Sequence, residues 1–132
     1  MNSHTFLLAA QLGLALTMAV PCAFAGASDY VFEPVQAEVK NGSGSELAVR
    51  LVHKPDGKPV SGAVLCRTRL DMGPDDMAAM TAEHTAVPAT EPGIYRFKAD
   101  ITMAGSWALR LMAKVSGEAE TVQGAVEFQA KD

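Results

Sequence analysis

Between Asp71 and His84 the chain reads Asp-Met-Gly-Pro-Asp-Asp-Met-Ala-Ala-Met-Thr-Ala-Glu-His, which places three methionines, three aspartates, one glutamate and one histidine in fourteen positions. Thioether sulfur is soft and uncharged, and it carries no proton near neutral pH. Donors of this kind select Cu(I) or Ag(I) over zinc, calcium or magnesium. Met77, Met80 and His84 lie at i, i+3 and i+7, a spacing that puts them on one face of a short helix. Asp75 and Asp76 suit the start of such a helix, as caps and as charges facing its dipole. Met72 stands just before Gly73-Pro74, where a tight turn would fold it back toward the same face. Met103 closes the inward-facing series of a later strand and belongs at the rim of the fold, with Trp107 close by. The expectation is a Cu(I) site with Met72, Met77, Met80 and Met103 as ligands and His84 as a further donor. In an oxidising compartment thioethers have the advantage over thiols that they are not drawn into disulfides.

A plainer reading competes with this one. Methionine is a flexible apolar filler, and a cluster of it can plug the open end of a sandwich and bind nothing. Met112 falls on the outward phase of its strand, with no role to assign. His53, in phase with Leu51 at a strand end, reads as structural. Cys66 lies in the inner phase between Val64 and Leu70 and reads as a buried, inert thiol. Asp71, Asp75, Asp76 and Glu83 read as a solvated acidic rim, and their spacing is not that of a calcium-binding EF-hand loop. Catalysis finds little support. There is no Gly-x-Ser-x-Gly elbow, phosphate loop or His-Glu-x-x-His motif. The carboxylates fall mostly on outward phases or in turns rather than as a separated pair in an apolar pocket. The expectation is that the chain is not an enzyme.

The surrounding elements must hold this loop in place. Glu46 to Lys54 alternates cleanly, with Leu47, Val49 and Leu51 on one face and Arg50 on the other. Pro55-Asp56-Gly57-Lys58 is a turn, and a strand is expected from Ala63 to Leu70 with Val64, Cys66 and Leu70 inward and Arg67 and Arg69 outward. Ile94 to Met103 is the clearest strand, with Tyr95, Phe97, Ala99, Ile101 and Met103 facing in. Trp107, Leu109, Leu111, Ala113 and Val115 repeat the pattern, and Val122, Gly124, Val126 and Phe128 mark a last strand. Tyr30 to Val39 has mixed character and is interrupted by Pro34, which suits an edge strand. Short strands at this spacing, separated by Gly and Pro turns, predict an all-β fold: an immunoglobulin-like antiparallel β-sandwich of about seven strands. No Cys…Trp…Cys pattern of a true immunoglobulin domain is present.

The chain of 132 residues is long enough for one domain. A net charge of −4 argues against nucleic acid, which requires clustered Lys and Arg. Residues 1–25 read as a secretory signal: an apolar run from Phe6 to Val20, broken by Pro21, with Ala23-Phe24-Ala25 as a small-x-small cleavage pattern. Cleavage is placed after Ala25, which leaves residues 26–132 as the mature domain, with Cys66 as its one cysteine and no internal disulfide. The apolar run is shorter than the roughly 20 residues a spanning helix needs, and no later segment could span a bilayer. The mature chain is expected in the periplasm.

Several motifs in the second half resemble those of the YtkA-like / FixH-like family of small exported β-sandwich domains. They are Gly57-Lys58-Pro59-Val60-Ser61-Gly62-Ala63, Asp71-Met72-x-Pro74-Asp75-x-Met77-x-x-Met80, Gly93-x-Tyr95-x-Phe97 and Met103-Ala104-Gly105-x-Trp107, together covering roughly residues 46–128. The resemblance implies a periplasmic or cell-surface domain that works beside heavy-metal efflux or copper-handling components. It implies metal-facing roles for Met77, Met80 and Met103, and carries over no role for Trp107 beyond that of a lid over the site. A membrane efflux or copper-handling protein is the partner it suggests. The alternative is an interaction module that binds no metal and docks on a membrane transporter or an assembly factor.

Overall fold

The computed structural model describes residues 28–132. The expected cleavage point after Ala25 lies outside these residues. Two sheets face each other. One runs β1 (Tyr30–Pro34), β3 (Gly42–His53), β8 (Ile94–Ile101) and β7 (His84–Val87), with β4 (Lys58–Pro59) beside β3. The other runs β2 (Glu38–Lys40), β10 (Val122–Lys131), β9 (Gly105–Lys114), β5 (Val64–Met72) and β6 (Met77–Thr81). Neighbours pair antiparallel except β2 and β10, which are parallel. The all-β sandwich expected from the alternation is therefore present. Ten strands replace the expected seven or so because β2 and β4 are short pieces of three and two residues and because the methionine-rich stretch itself forms β6 and leads into β7.

The core follows the period-two pattern. Leu47, Val49 and Leu51 of β3 and Phe97, Ala99 and Ile101 of β8 meet Trp107, Leu109, Leu111 and Ala113 of β9 and Val122, Val126 and Phe128 of β10. Each large aliphatic or aromatic side chain withdrawn from water in this way contributes about 1.5–3 kcal/mol. Trp107 is fully buried, and its indole N–H donates to the Met103 carbonyl at 3.0 Å. It is a core residue that pins the β8–β9 connection and not a lid over a site.

In β5 the expected phase is wrong in the first half. Leu65 pairs with Ala113 but Arg67 with Met112, so Cys66 is the extra residue of a β-bulge. The bulge exchanges the faces: Leu65 packs against the core before it and Leu70 and Met72 lie in the core after it, while Val64 is 63 % exposed. Cys66 is exposed, not buried, and it is held in a disulfide. Its Sγ also lies 3.4 Å from the Met112 carbonyl. The chain's other cysteine, Cys22, lies outside the described residues.

The bridge from β4 to β5 is tied down by polar contacts that the alternation does not display. The Tyr95 hydroxyl donates to the Val60 carbonyl at 2.8 Å and accepts from the Ala63 N–H at 3.0 Å. Gly93 enters β8 with φ +74°, its N–H donating to Ser61 Oγ at 2.9 Å, and a side chain there would collide with Pro59 Cβ. Gly44, at φ +68°, has open space around it. Gly93→Ala is therefore expected to cost about 2–3 kcal/mol and Gly44→Ala only about 1 kcal/mol, the difference being the clash with Pro59. Thermal unfolding of the two variants side by side checks this, at about 4–8 °C of melting temperature per kcal/mol.

Candidate functional site

The Asp71–His84 stretch is not helical. Met72 ends β5, Gly73–Asp75 make a single 3-10 turn with Pro74 near its start, and Asp76 adopts a left-handed conformation at φ 59°, ψ 26°. A left-handed residue stops helical propagation, so the chain turns back and Met77–Thr81 pair with β5 as the strand β6. The expected helical face of Met77, Met80 and His84 does not form. Asp75 and Asp76 close a turn where a helix start was expected. The Asp75 carboxylate accepts the Ser106 N–H at 2.8 Å, tying the turn to the start of β9.

The register of β6 against β5 is irregular. Asp71 pairs with Thr81 and Met72 with Met77, so one step along β5 answers four along β6. Ala78, Ala79 and Met80 are the surplus, looped out in a wide bulge. Arg69 holds this bulge by donating to the Ala78 carbonyl at 2.7 Å.

The five expected donors sit in three environments. Met77, Met80 and Met103 are 36 %, 40 % and 39 % exposed. Met77 and Met80 stand on β6, and Met103 stands on the β8–β9 connection that leads into Gly105. Met72 is fully buried in the core, with its terminal methyl so close to Gly105 that a side chain at Gly105 would meet it at 2.8 Å. His84 belongs to the opposite sheet. Its Nδ1 lies 3.1 Å from the Ala82 carbonyl, which can only accept, so this nitrogen carries the proton. Nε2 then accepts the Thr68 hydroxyl at 2.7 Å. The ring packs edge-on to Phe97 with centroids 6.2 Å apart. His84 thus links β7 to β5 across the open side of the sandwich, with both nitrogens occupied. Met77 pairs with Met72 at the end of β5, Met80 lies in the bulge of β6, and Met103 precedes Gly105, which the Met72 methyl approaches. Among the described residues no three His, Cys, Asp or Glu side chains form a group that could hold a metal.

Asp71 is the residue whose role the sequence hid. It was expected on a solvated acidic rim, and it is 1 % exposed. Arg110 Nε donates to Oδ2 at 2.8 Å and Arg69 Nε to the same oxygen at 3.0 Å, while the Gly73 N–H donates to Oδ1 at 2.8 Å. The hydrogen bond from Arg110 is the main cause holding the Asp71 carboxyl below the usual carboxylate range, and the same bond raises Arg110. The available signal was Asp71-x-Gly73, a spacing suited to an Asx turn, with Arg69 two residues earlier on the same strand face.

A carboxylate stabilised in this way contributes above the unfolded pKa of about 3.9, and its contribution is lost as the pH falls through the lower folded value. Asp71→Asn is expected to cost about 2–3 kcal/mol at pH 7 by leaving the arginines and Gly73 poorly matched. Urea unfolding at pH 7 and below pH 4 checks the sign: the gap between wild type and variant should narrow at the acid end.

Among solved structures, the crystal structure of the Lin-41 filamin domain is similar at 18 % identity and TM-score 0.45, covering 81 % of this chain and 96 % of that one. The ZirS C-terminal domain is similar at 9 % identity and TM-score 0.45, covering 100 % of this chain and 86 % of that one. No curated protein matches the chain significantly. The family comparison matches residues 24–112, a span that holds the β5–β6 turn, Met103 and Trp107. The chain belongs to the YtkA-like family.

Proposed function

We propose that this chain is an exported domain that captures Cu(I) as cargo on the thioethers of Met77, Met80 and Met103 and passes it to a membrane efflux or copper-handling protein. The observation that carries the reading is the exposure of these three methionines, two on β6 beside the end of β5 and the third on the connection that leads into β9. Three neutral sulfur donors suit a soft monovalent ion and offer little to hard cations. Met72, fully buried, and His84, bonded to Thr68, stay outside the ligand set. The membership of the YtkA-like family supports a small domain of periplasmic type. No helix among the described residues is long and apolar enough to cross a membrane.

One observation favours a second reading, docking on a partner without metal. β6 is a sheet edge, and every residue from Met77 to Thr81 is exposed, four of them apolar. An edge of that kind offers unpaired backbone groups to an added strand.

A titration with Cu(I) against a competing chelator separates the two. The metal reading expects about one equivalent bound, abolished in a Met77→Leu/Met80→Leu double variant, which keeps the apolar surface and removes the sulfur. It expects Met72→Leu to leave binding unchanged. Full Cu(I) affinity in the double variant would overturn it in favour of docking.

A further inference from the structure

The outer face of the β5–β9–β10 sheet carries a second surface beside the methionine-bearing strand. Register lays it out in rungs: Val64 beside Lys114, then Arg67, Met112 and Gln123, then Arg69, Arg110 and Ala125, then Asp71, Ala108 and Glu127. Four of the chain's eleven basic residues stand on this one face, although the chain carries a net charge of −4. Of the two carboxylates there, Asp71 is covered by the guanidiniums of Arg69 and Arg110.

Between the cations lies a groove of about 380 Å³, walled by Arg67, Arg69, Arg110 and Gln123 and floored by Met112 and Ala125. Met112 is only 8 % exposed yet is not part of the core between the sheets. It is a recessed apolar floor on a surface where the phase predicts solvent. Val64, 63 % exposed, adds an apolar rim.

We infer that this groove is a docking site for an extended acidic segment of a partner protein, with carboxylates at alternate positions. Charge complementarity selects the sign: Arg69 and Arg110 already share Asp71, so the Arg67 guanidinium, outside that cluster, is the fork that matches a carboxylate in two-pronged fashion, with the remaining N–H groups of Arg69 and Arg110 beside it. Spacing selects the extended form. Arg67 and Arg69 are two residues apart on one strand, about 7 Å, and alternate side chains of an extended peptide recur at the same interval. A lipid surface fits less well, because the apolar floor is sunk between the charged walls instead of projecting from them.

The test uses the purified chain and a fluorescein-labelled peptide of alternating glutamate and leucine, read by anisotropy. Saturable binding is expected, weakened about tenfold or more by Arg67→Glu, a wall residue outside the Asp71 cluster. Lys98→Glu makes the same charge change on an exposed position of the other sheet and should stay within about twofold of wild type. A peptide of alternating lysine and leucine should not bind. Equal weakening by both substitutions would reduce the effect to net charge and overturn the site. So would an absence of saturable binding. Sedimentation with phosphatidylglycerol vesicles that depends on Arg67, without peptide binding, would replace the peptide with a membrane and equally overturn it.

Discussion

Two β-sheets stay together here because each strand turns alternate side chains toward the other sheet, and because those side chains are large. Leu47, Val49 and Leu51 on one side and Trp107, Leu109, Leu111 and Phe128 on the other leave almost no surface to water. Everything that could carry function is hung on that frame. The Trp107 indole, reaching the Met103 carbonyl, sets where the β8–β9 connection lies. The Asp75 carboxylate, reaching the Ser106 N–H, sets where the β5–β6 turn lies relative to it. The position of the methionine-bearing segments is thus a product of packing and of these two hydrogen bonds.

Asp71 connects the two surfaces of interest. Its carboxylate gathers Arg69, Arg110 and the Gly73 N–H. On one side this fixes the turn from which Met77 and Met80 project. On the other it orders the guanidiniums that wall the cationic groove. A buried carboxylate with three good donors avoids the penalty an isolated charge would suffer. Its position at the end of β5 makes it a structural hinge between the methionine-bearing strand and the outer sheet face.

His84 illustrates how a plausible ligand becomes a scaffold residue. Its spacing from Met77 and Met80 suits a helical face, and imidazole is a good metal donor. Once β6 and β7 become edge strands of opposite sheets, that spacing loses its meaning. The ring instead satisfies Thr68 and the Ala82 carbonyl at a seam where the sandwich would otherwise open. Met72 undergoes the same change of role, from expected donor to a fully buried side chain under Gly105.

By itself the amino-acid order determined the fold class, the family and the inward faces of β3, β8, β9 and β10. These depend on a strict two-residue period, and Leu47, Phe97, Leu109 and Val126 display it without help from distant residues. It also singled out the methionines as the unusual chemistry. Only the tertiary structure decided which residues of β5 and of the methionine stretch face where. The bulge at Cys66 adds one residue to one strand and reverses every side chain beyond it. The wide bulge at Ala78–Met80 exists only because β5 stands opposite. The burial of Asp71 depends on Arg110, thirty-nine positions away. Periodicity is a local property, while a bulge or a buried ion pair is defined by a neighbouring strand that the local sequence does not contain.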